Sequence, residues 1–365
     1  MIEINTLETI YMVQEGLRNT YNTFLKTLYD SMSFQLGPQV TPVGISFTVA
    51  PLFNSVARVG EMDEKVDLLK AMTEQKLIEI QSTKRGAREG EMETLQGNMV
   101  RRIKNIKSRQ DRQKKKAFQE MEGQVKEGKL ADNQILILDT KGEYPSTFTG
   151  LIANEFMRSY GKPTLVGAEY DQDGKTFFKG SARGNDKSDL DALKQFEKDS
   201  GLFEYAEGHE SAHGFSFELN KKDEIITYFN EELKDVVLEP IYDVDFDIDW
   251  RELSIDNMVE ITKYATFWAR GLDEPTFVLR NAPVKKSEAN INGDFDNYSL
   301  RFIAGPMKFV KFNGTPTSVI SKINNNQETL VDIVGKVNMN SYKGETNIQT
   351  IIQDLEVKEA KKYVF

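Results

Sequence analysis

The chain has 365 residues, a net charge of −10 at pH 7 and no cysteine. This length predicts two or three domains, and a composition with 39% hydrophobic residues provides enough apolar side chains for their cores. The lack of cysteine excludes disulfides, thiolate zinc sites and cysteine nucleophiles. No apolar run is long enough to span a membrane and the acidic N-terminus does not match an export signal, so we expect a cytoplasmic protein.

Residues 1–62 are predicted to begin with a helix. Their apolar positions follow the three- and four-residue spacing of a packed helix: Leu7, Ile10, Val13, Leu17, Tyr21, Phe24 and Leu28. The VGISFTV segment at 43–49 then alternates in polarity and ends at Ala50-Pro51, which is typical of a strand.

Residues 63–130 are polar and contain no proline, which predicts one long helix over 63–127. Gly86 and Gly90 leave open a break in this helix. A coiled coil is the alternative, although no heptad pattern persists. This segment is expected to connect two globular parts.

The connecting segment carries nine basic residues between 101 and 116 and one acidic residue, Asp111. A solvated helix face is the ordinary interpretation of such a run. However, many cations on one helix repel one another unless an anion lies alongside, and a phosphate backbone is the commonest such anion. The pattern therefore slightly favours nucleic-acid binding, with these candidates: Arg101, Arg102, Lys104, Lys107 and Arg109.

The remaining two parts differ in class. Residues 131–235 alternate between predicted strands and helices, which indicates a mixed α/β domain: strands at 135–138, 163–170 and 175–182, and helices at 148–160 and from 190 to a stop at Gly201. Residues 236–365 are mostly strand, beginning with aspartates that alternate with aromatic and aliphatic residues at 242–250, with one helix at 254–268. A small closed barrel of about five strands, such as an OB-fold, is the natural candidate.

The only two histidines lie in His209-Glu210-Ser211-Ala212-His213, which matches the HExxH pattern of zinc proteases. That chemistry needs both histidines on one helical face. Here Gly208 and Gly214 bracket the pattern and strand-like alternation follows, so we disfavour the protease interpretation. Two Asp/Asn-Gly segments lack the twelve-residue spacing of a calcium loop and are predicted to be hairpin turns.

Four further segments occur in the order in which they occur in the RecJ family. The first segment, ISFTVAPLFNSVARVG, resembles the family's stretch ending in proline, asparagine and a Gly-Arg pair, and the second, KGSARG, resembles its glycine-serine-x-arginine motif. The third, EGHESAHGFSF, resembles its glycine-histidine-alanine-glycine-phenylalanine motif, and the fourth, VGKVNMNSYKGETNIQTIIQDLEV, resembles the last strands of its OB domain. WARGLDEPTFVL resembles the loop that enters that domain. The chain therefore resembles the C-terminal half of RecJ, a family of manganese-dependent 5′-to-3′ single-strand DNA exonucleases of the DHH phosphoesterase superfamily, associated with DNA recombination and repair.

The resemblance implies a fold and residue roles. The fold is an α/β multidomain chain: the remnant of a DHH domain (1–62), a long basic connecting helix (63–130), a DHH-associated domain (131–235) and an OB-type β-barrel (236–365). Ser181 and Arg183 would bind a 5′-phosphate, His209 would lie beside the scissile phosphate, and Arg58 would contact the strand or its developing charge. Asn54 and Gly208 would be further DNA contacts.

The family's Asp-His-His motif and its other metal ligands are absent from these 365 residues. We therefore expect manganese or magnesium to act only through a separate DHH polypeptide, with none bound by this chain alone. The expected partners are single-stranded DNA and that polypeptide, with dimerisation through residues 1–75 as another outcome and no membrane contact. The alternative function is a single-strand DNA-binding or scaffold relative without catalysis.

Overall fold

The computed structural model describes residues 6–37, 40–268, 271–293, 298–342 and 345–358. The chain divides into two compact units, one comprising Met1–Tyr21, Met32–Thr48 and Tyr242–Phe365, and the other comprising Asn22–Ser31 and Val49–Ile241. Within the described part of the chain, no helix is both long enough and apolar enough to cross a membrane.

The helices, in chain order, are α1 (Leu7–Arg18), α2 (Thr23–Ser31), α3 (Ser33–Leu36), α4 (Pro42–Gly44), α5 (Ala50–Val59), α6 (Met62–Thr73), α7 (Leu95–Glu127), α8 (Ser146–Tyr160), α9 (Leu193–Asp199), α10 (Lys222–Glu232), α11 (Ile255–Thr262) and α12 (Thr317–Asn325). The strands are β1 (Glu79–Gln81), β2 (Met92–Thr94), β3 (Leu136–Asp139), β4 (Thr164–Gln172), β5 (Lys175–Arg183), β6 (Tyr205–His209), β7 (Ala212–Glu218), β8 (Phe246–Asp249), β9 (Phe277–Lys285), β10 (Asn290–Asn292), β11 (Tyr298–Ala304), β12 (Met307–Thr315), β13 (Glu328–Tyr342) and β14 (Glu345–Val357).

The strand predicted at 43–49 is wrong, because this segment is helical. Thr41 caps α4 by accepting a hydrogen bond from the Gly44 N–H, and a π-helical turn at Ile45–Val49 leads into α5. Proline in the first turn suits a helix start, since its missing N–H has no helical partner there. Pro51 therefore belongs to a helix start rather than to a strand end.

The single helix predicted over 63–127 is also wrong, because α6 and α7 are separated by a β-hairpin. β1 and β2 pair antiparallel, and Gly86 and Gly90 between them adopt φ of 85° and 80°. Glycine is the residue that reaches such angles without strain. The glycines that raised the question of a break therefore mark a hairpin loop, and α7 begins after it with Thr94 as its N-cap.

The α/β sheet in the second unit confirms the predicted mixed class. Its five strands lie in the order β3-β4-β5-β7-β6, with β3 and β4 parallel and the other neighbours antiparallel. One face, through Leu138 and Val166, packs with α7 and α8. The other face, through Phe178 and Phe217, packs with α9 and α10. The helix predicted to stop at Gly201 ends at Asp199, and Gly201 has φ of 66°.

The first unit contains a seven-stranded sheet in the order β10-β11-β12-β14-β13-β9-β8. The predicted closed barrel is not found, because no pairing among the described strands joins the two ends of this sheet. β9 uses one edge for β13 and the other for β8, which pairs parallel with it from Phe246 opposite Phe277. Phe246–Asp249 of the alternating aspartate segment therefore form the edge strand of this sheet, paired with Phe277–Arg280 of β9. Two pairs of residues in the segments matched above lie outside the described residues: Ala269 and Arg270 of WARGLDEPTFVL, and Lys343 and Gly344 of VGKVNMNSYKGETNIQTIIQDLEV.

Candidate functional site

The predicted residues Ser181 and Arg183 lie on β5, two positions apart, so both side chains lie on the sheet face covered by α8. The Ser181 hydroxyl is 2.8 Å from the Thr149 hydroxyl in the first turns of α8. Gly150 comes next, and a Cβ there would clash with Nη2 of Arg183. The glycine therefore makes room for the guanidinium against the helix.

The Arg183 guanidinium is partly buried and lacks an acidic partner among the described residues. Its Nη1 donates a hydrogen bond of 2.6 Å to the Ala182 carbonyl oxygen. Burial lowers the pKa of Arg183, and the positive charge of Arg58 lowers it further. The guanidinium therefore lies where burial and a second cation disfavour its positive charge.

Arg58 lies in the last turn of α5, and its carbonyl oxygen accepts a hydrogen bond of 2.9 Å from the Thr147 hydroxyl. This bond joins α5 to the N-terminal turn of α8, where N–H groups favour negative charge. Asn54 lies one turn earlier on α5 and is exposed. Two arginines near a helix N-terminus, with no carboxylate paired to either one in the described residues, form a site suited to an anion such as phosphate.

The HExxH pattern lies on a hairpin rather than on a helix, which contradicts the protease alternative. His209 ends β6 opposite Ala212 of β7, and Ala212 is in turn opposite Arg183 of β5. His209 is exposed and lies on the same sheet face as Arg183, two strands away, a distance of about 10 Å from the usual strand spacing. Gly208 adopts φ of 139°, and a Cβ there would lie 2.9 Å from the Cα of His213.

His213 points to the opposite face of the sheet and is buried together with Glu197 of α9. Its Nε2 lies 2.7 Å from Oε2 of Glu197, and both side chains are 0% exposed. Burial raises the pKa of Glu197, while the contact with His213 opposes that rise. The second histidine of the pattern is therefore part of a buried hydrogen-bonded pair and does not reach the face that carries Arg183.

Most of the candidate cations on α7 have partners within the protein. Arg101 contacts Glu93 at 2.6 Å, Arg109 contacts Glu64 at 2.8 Å, and the other pairs are Arg102 with Asp63 and Asp67, Lys107 with Asp111, Lys114 with Glu155 and Lys116 with Glu120. Lys104 donates to the Ser31 carbonyl oxygen at 3.0 Å. The assumption that these cations require an external anion is therefore wrong, whereas their contact with DNA stays a prediction. Arg112 and Lys115 are exposed and have no partner in the described residues.

Sequence reasoning missed Thr147, Thr149 and Gly150, which position the two arginines. The available signal was the small-residue segment STFTG at the start of a predicted helix. In the parts of the chain that the structure describes, no group of three or more histidine, aspartate or glutamate side chains could hold a metal ion. The described residues therefore offer no ligand set that fits manganese or magnesium.

The chain is similar to two curated relatives. One is the candidate SPbeta prophage-derived single-strand DNA-specific exonuclease YorK of Bacillus subtilis (strain 168), and the other is its counterpart in Bacillus phage SPbeta. Each is 29% identical over 357 residues, which cover 98% of this chain and 62% of the relative. The chain thus spans less than two thirds of the length of these relatives. No protein-family model matches it.

The fold is similar to that of RecJ from Thermus thermophilus. The structure of that protein with Mn²⁺ matches with a TM-score of 0.62 and 18% identity, covering 96% of this chain and 47% of RecJ. The structure with Mg²⁺ matches with a TM-score of 0.61 and 18% identity. The chain therefore resembles the C-terminal half of a RecJ-type single-strand exonuclease, as its motifs predicted.

Proposed function

We propose that this chain is a RecJ-like component of a 5′-to-3′ single-strand DNA exonuclease, which binds the 5′ end and guides the strand. The observation that carries the proposal is the pair of arginines, Arg58 and Arg183, that lie near each other without a carboxylate partner among the described residues. A terminal phosphate carries about two charges and several acceptor oxygens, which suits two guanidiniums and a hydroxyl. The names and folds of the relatives support the same assignment.

Each predicted residue then has a role. Ser181 and Arg183 bind the 5′-phosphate, and Arg58 contacts the strand or the charge that develops on the reacting phosphate. His209, exposed at the end of β6, lies beside the scissile phosphate, and Asn54 and Gly208 contact the strand. Phosphodiester hydrolysis by manganese or magnesium needs ligands that fix the ions and the attacking water, and we assign those ligands to a DHH domain on a separate polypeptide.

The seven-stranded sheet is proposed to guide the strand as an OB-type domain. The order β11-β12-β14-β13-β9 supports this, with β12 parallel to β14 and helix α12 between β12 and β13. OB domains bind single strands through aromatic stacking and backbone cations.

Residues 1–75 are proposed to bind the DHH polypeptide or a second copy of the chain. Leu7 and Tyr11 lie one turn apart on α1 and are 80% and 65% exposed. Val66 and Leu69, on α6, are also exposed. Large apolar side chains that share a helix face are uncommon on free surfaces and are typical of interfaces.

End binding is tested by titrating the purified chain into 3′-labelled single strands that carry either a 5′-phosphate or a 5′-hydroxyl. We expect the phosphorylated strand to bind at least about tenfold more tightly, since hydrogen bonds to a charged group contribute roughly 1.5–3 kcal/mol. Arg183→Ala should remove the preference, whereas Arg112→Ala should leave it intact. Equal binding of both strands by the parent chain would overturn the proposal.

Catalysis is tested by co-expression with a DHH-domain polypeptide, followed by size exclusion and a nuclease assay. The expected result is a stable complex with Mn²⁺-dependent exonuclease activity that is lost with Arg58→Ala. A chain that binds 5′ ends but never forms an active complex would favour a single-strand DNA-binding or scaffold protein without catalysis.

A further inference from the structure

The turn between β6 and β7 follows directly on the predicted residue His209. Glu210 and Ser211 form this turn between the two strands. The Ser211 carbonyl oxygen accepts a hydrogen bond of 2.8 Å from the N–H of Gly184, the residue after Arg183. The turn beside His209 is therefore joined to the end of the strand that carries Arg183.

Helix α9 holds the same turn through Lys194, from the opposite face of the sheet. The Lys194 ammonium donates a hydrogen bond of 3.0 Å to the Gly208 carbonyl oxygen and lies 2.6 Å from Oε1 of Glu210. The backbone N–H of Lys194 donates to the Glu210 carbonyl oxygen at 2.9 Å. Lys194 thus contacts the residue before His209 and the residue after it.

These contacts occupy much of the bonding capacity of the Lys194 ammonium. It holds the pKa of Glu210 below its ordinary value, and the Gln195 N–H adds to this effect by bonding to the same carboxylate. Only 19% of the Lys194 side chain is exposed. An ammonium has three N–H donors, and two of them already have oxygen partners here. This arrangement favours a role within the protein over a direct contact with a ligand.

Two further contacts fix α9 against the strands. A Cβ at Gly184 would lie 3.1 Å from side-chain atoms of Leu193, so the glycine lets the start of α9 approach the end of β5. One turn further along α9, Glu197 lies 2.7 Å from Nε2 of His213 on β7. The glutamate and the second histidine of the HExxH pattern, Glu210 and His213, therefore both contact α9.

We propose that Lys194 is a positioning residue for His209. Because it binds the residues on both sides of His209, it holds the imidazole on the sheet face of Arg183, where the scissile phosphate of a bound strand would lie. The inference rests on the proposed function, which gives His209 that role. A side chain that is held in place before binding loses less conformational entropy when the ligand arrives. Loosening the turn should therefore weaken the contact between His209 and the phosphate.

The first experiment measures the mobility of the turn in the full chain without DNA. Labelling with ¹⁵N-histidine gives one amide signal for each of the two histidines, and His209→Ala assigns them. Both order parameters should be about 0.85 in the parent, the value of rigid backbone. In Lys194→Met that of His209 should fall below about 0.6, while that of buried His213 should stay unchanged. Lys198→Met removes an exposed lysine of the same helix and should leave both at parent values.

The second experiment measures the contact with the strand. The full chain is titrated into 5′-phosphorylated, 3′-labelled single strands whose first two linkages are either normal phosphates or uncharged methylphosphonates. The parent should bind the uncharged strand at least about tenfold more weakly, since hydrogen bonds to charged groups are strong. His209→Ala should reduce this difference by about threefold or more, and Lys194→Met should do the same. Lys198→Met should keep the difference of the parent.

A double variant separates positioning from direct contact. If Lys194 acts through His209, Lys194→Met should cause no further loss in a chain that already carries His209→Ala, because both changes remove the same interaction. Glu210→Ala removes the partner of Lys194 and should reproduce the effect of Lys194→Met. Lys194→Arg keeps a cation with N–H donors and should retain most of the difference between the strands. An additive loss in the double variant would show that Lys194 contacts the strand itself and would overturn the proposal.

The outcomes distinguish this proposal from the one on which it rests. A parent chain that prefers a 5′-phosphate but binds both kinds of linkage equally would overturn the positioning role alone. A parent chain without a preference for a 5′-phosphate would overturn the proposed function and this inference with it. A rigid His209 amide in Lys194→Met, together with the full difference between the strands, would overturn the inference and leave the phosphate site of Arg183 intact.

Discussion

The basic segment of α7 and the site of Arg58 and Arg183 both contain arginines, but most of those on α7 are paired with carboxylates, whereas those of the site have no carboxylate partner among the described residues. On α7, cations such as Arg101 and Arg109 contact carboxylates of the same unit. In the site, Arg183 is close to Arg58 and has no acidic partner in the described residues. The comparison teaches that the number of cations along a sequence does not measure how many of them lack a carboxylate partner. Predicted effects therefore divide into losses of stability for paired charges and losses of binding for unpaired ones.

The largest predicted effect is on the buried pair of His213 and Glu197. His213→Ala should lower the free energy of unfolding by about 3–5 kcal/mol near pH 8, because it leaves a buried carboxylate without its partner. Burial raises the pKa of Glu197 in the folded state. Below the ordinary pKa of a glutamate the side chain is protonated and uncharged, so the core tolerates it without His213. The loss of unfolding free energy caused by His213→Ala should therefore grow as the pH rises through the folded-state pKa of Glu197. Denaturant unfolding at pH 4 and pH 8 measures this. An equal deficit in exposed His209→Ala would contradict it.

A smaller loss of stability is predicted for Arg101→Ala. Burial alone would raise the pKa of Glu93, but hydrogen bonds from the Thr83 N–H, Asn98 and Arg101 hold it at about 2. The carboxylate therefore stabilises the hairpin fully above its ordinary pKa of 4.5 and loses that effect as the pH falls toward 2. Arg101→Ala should lower the free energy of unfolding by about 1–3 kcal/mol at pH 7. In this variant the free energy of unfolding should also fall less when the pH is lowered toward 2. Arg112→Ala is the control, and hydrogen exchange of the hairpin amides reports the change.

Gly150→Ala should affect binding without affecting stability. The new methyl group would displace the Arg183 guanidinium, so the preference for a 5′-phosphate should fall about tenfold. Alanine is the better helix former by roughly 1 kcal/mol, which offsets any strain in α8. Gly123→Ala in α7 is a matched control, since no heavy atom lies within 4 Å of its added Cβ. An unchanged end preference would show that the position of Arg183 does not matter.

The smallest predicted effect is on the salt dependence of binding. Arg112 and Lys115 have no partner among the described residues, so we replace both by alanine. The slope of log affinity against log salt should become less steep by about 1.4, because each lost phosphate contact on a single strand removes about 0.7 from it. Alanine at Arg102 and Lys107, which are paired with carboxylates, should change it less. The reverse order would restore the interpretation of the whole basic run as a DNA-binding surface.

The sequence predicted the α/β part of the fold well because its signals are local. Four buried apolar residues at 135–138 and the stop at Gly201 determine their elements without help from distant residues. The segment at 43–49 failed because β-branched residues carry only a weak preference, which the helix starts at Pro42 and Pro51 override. The prediction of a closed barrel was wrong because strand pairing in this sheet, such as that of β8 with β9, depends on residues far apart in the sequence.

The sequence could predict the motif residues of the candidate site but not the neighbouring residues that position them. Ser181 and Arg183 stand in a recognisable motif, so the sequence could indicate them. The contribution of Gly150 appears only when α8 is placed against β5, and the partner of His213 appears only when α9 packs on the opposite face of the sheet. Ion pairing along α7 likewise depends on carboxylates up to 45 residues away in the sequence.

The most direct test of the account is to measure stability and end preference together for Arg183→Gln. The account predicts that the free energy of unfolding stays equal or rises, because a partly buried guanidinium beside Arg58 is removed, while the preference for a 5′-phosphate disappears. A variant that loses stability and keeps the preference would contradict it, since Arg183 would then be a structural charge like those of α7.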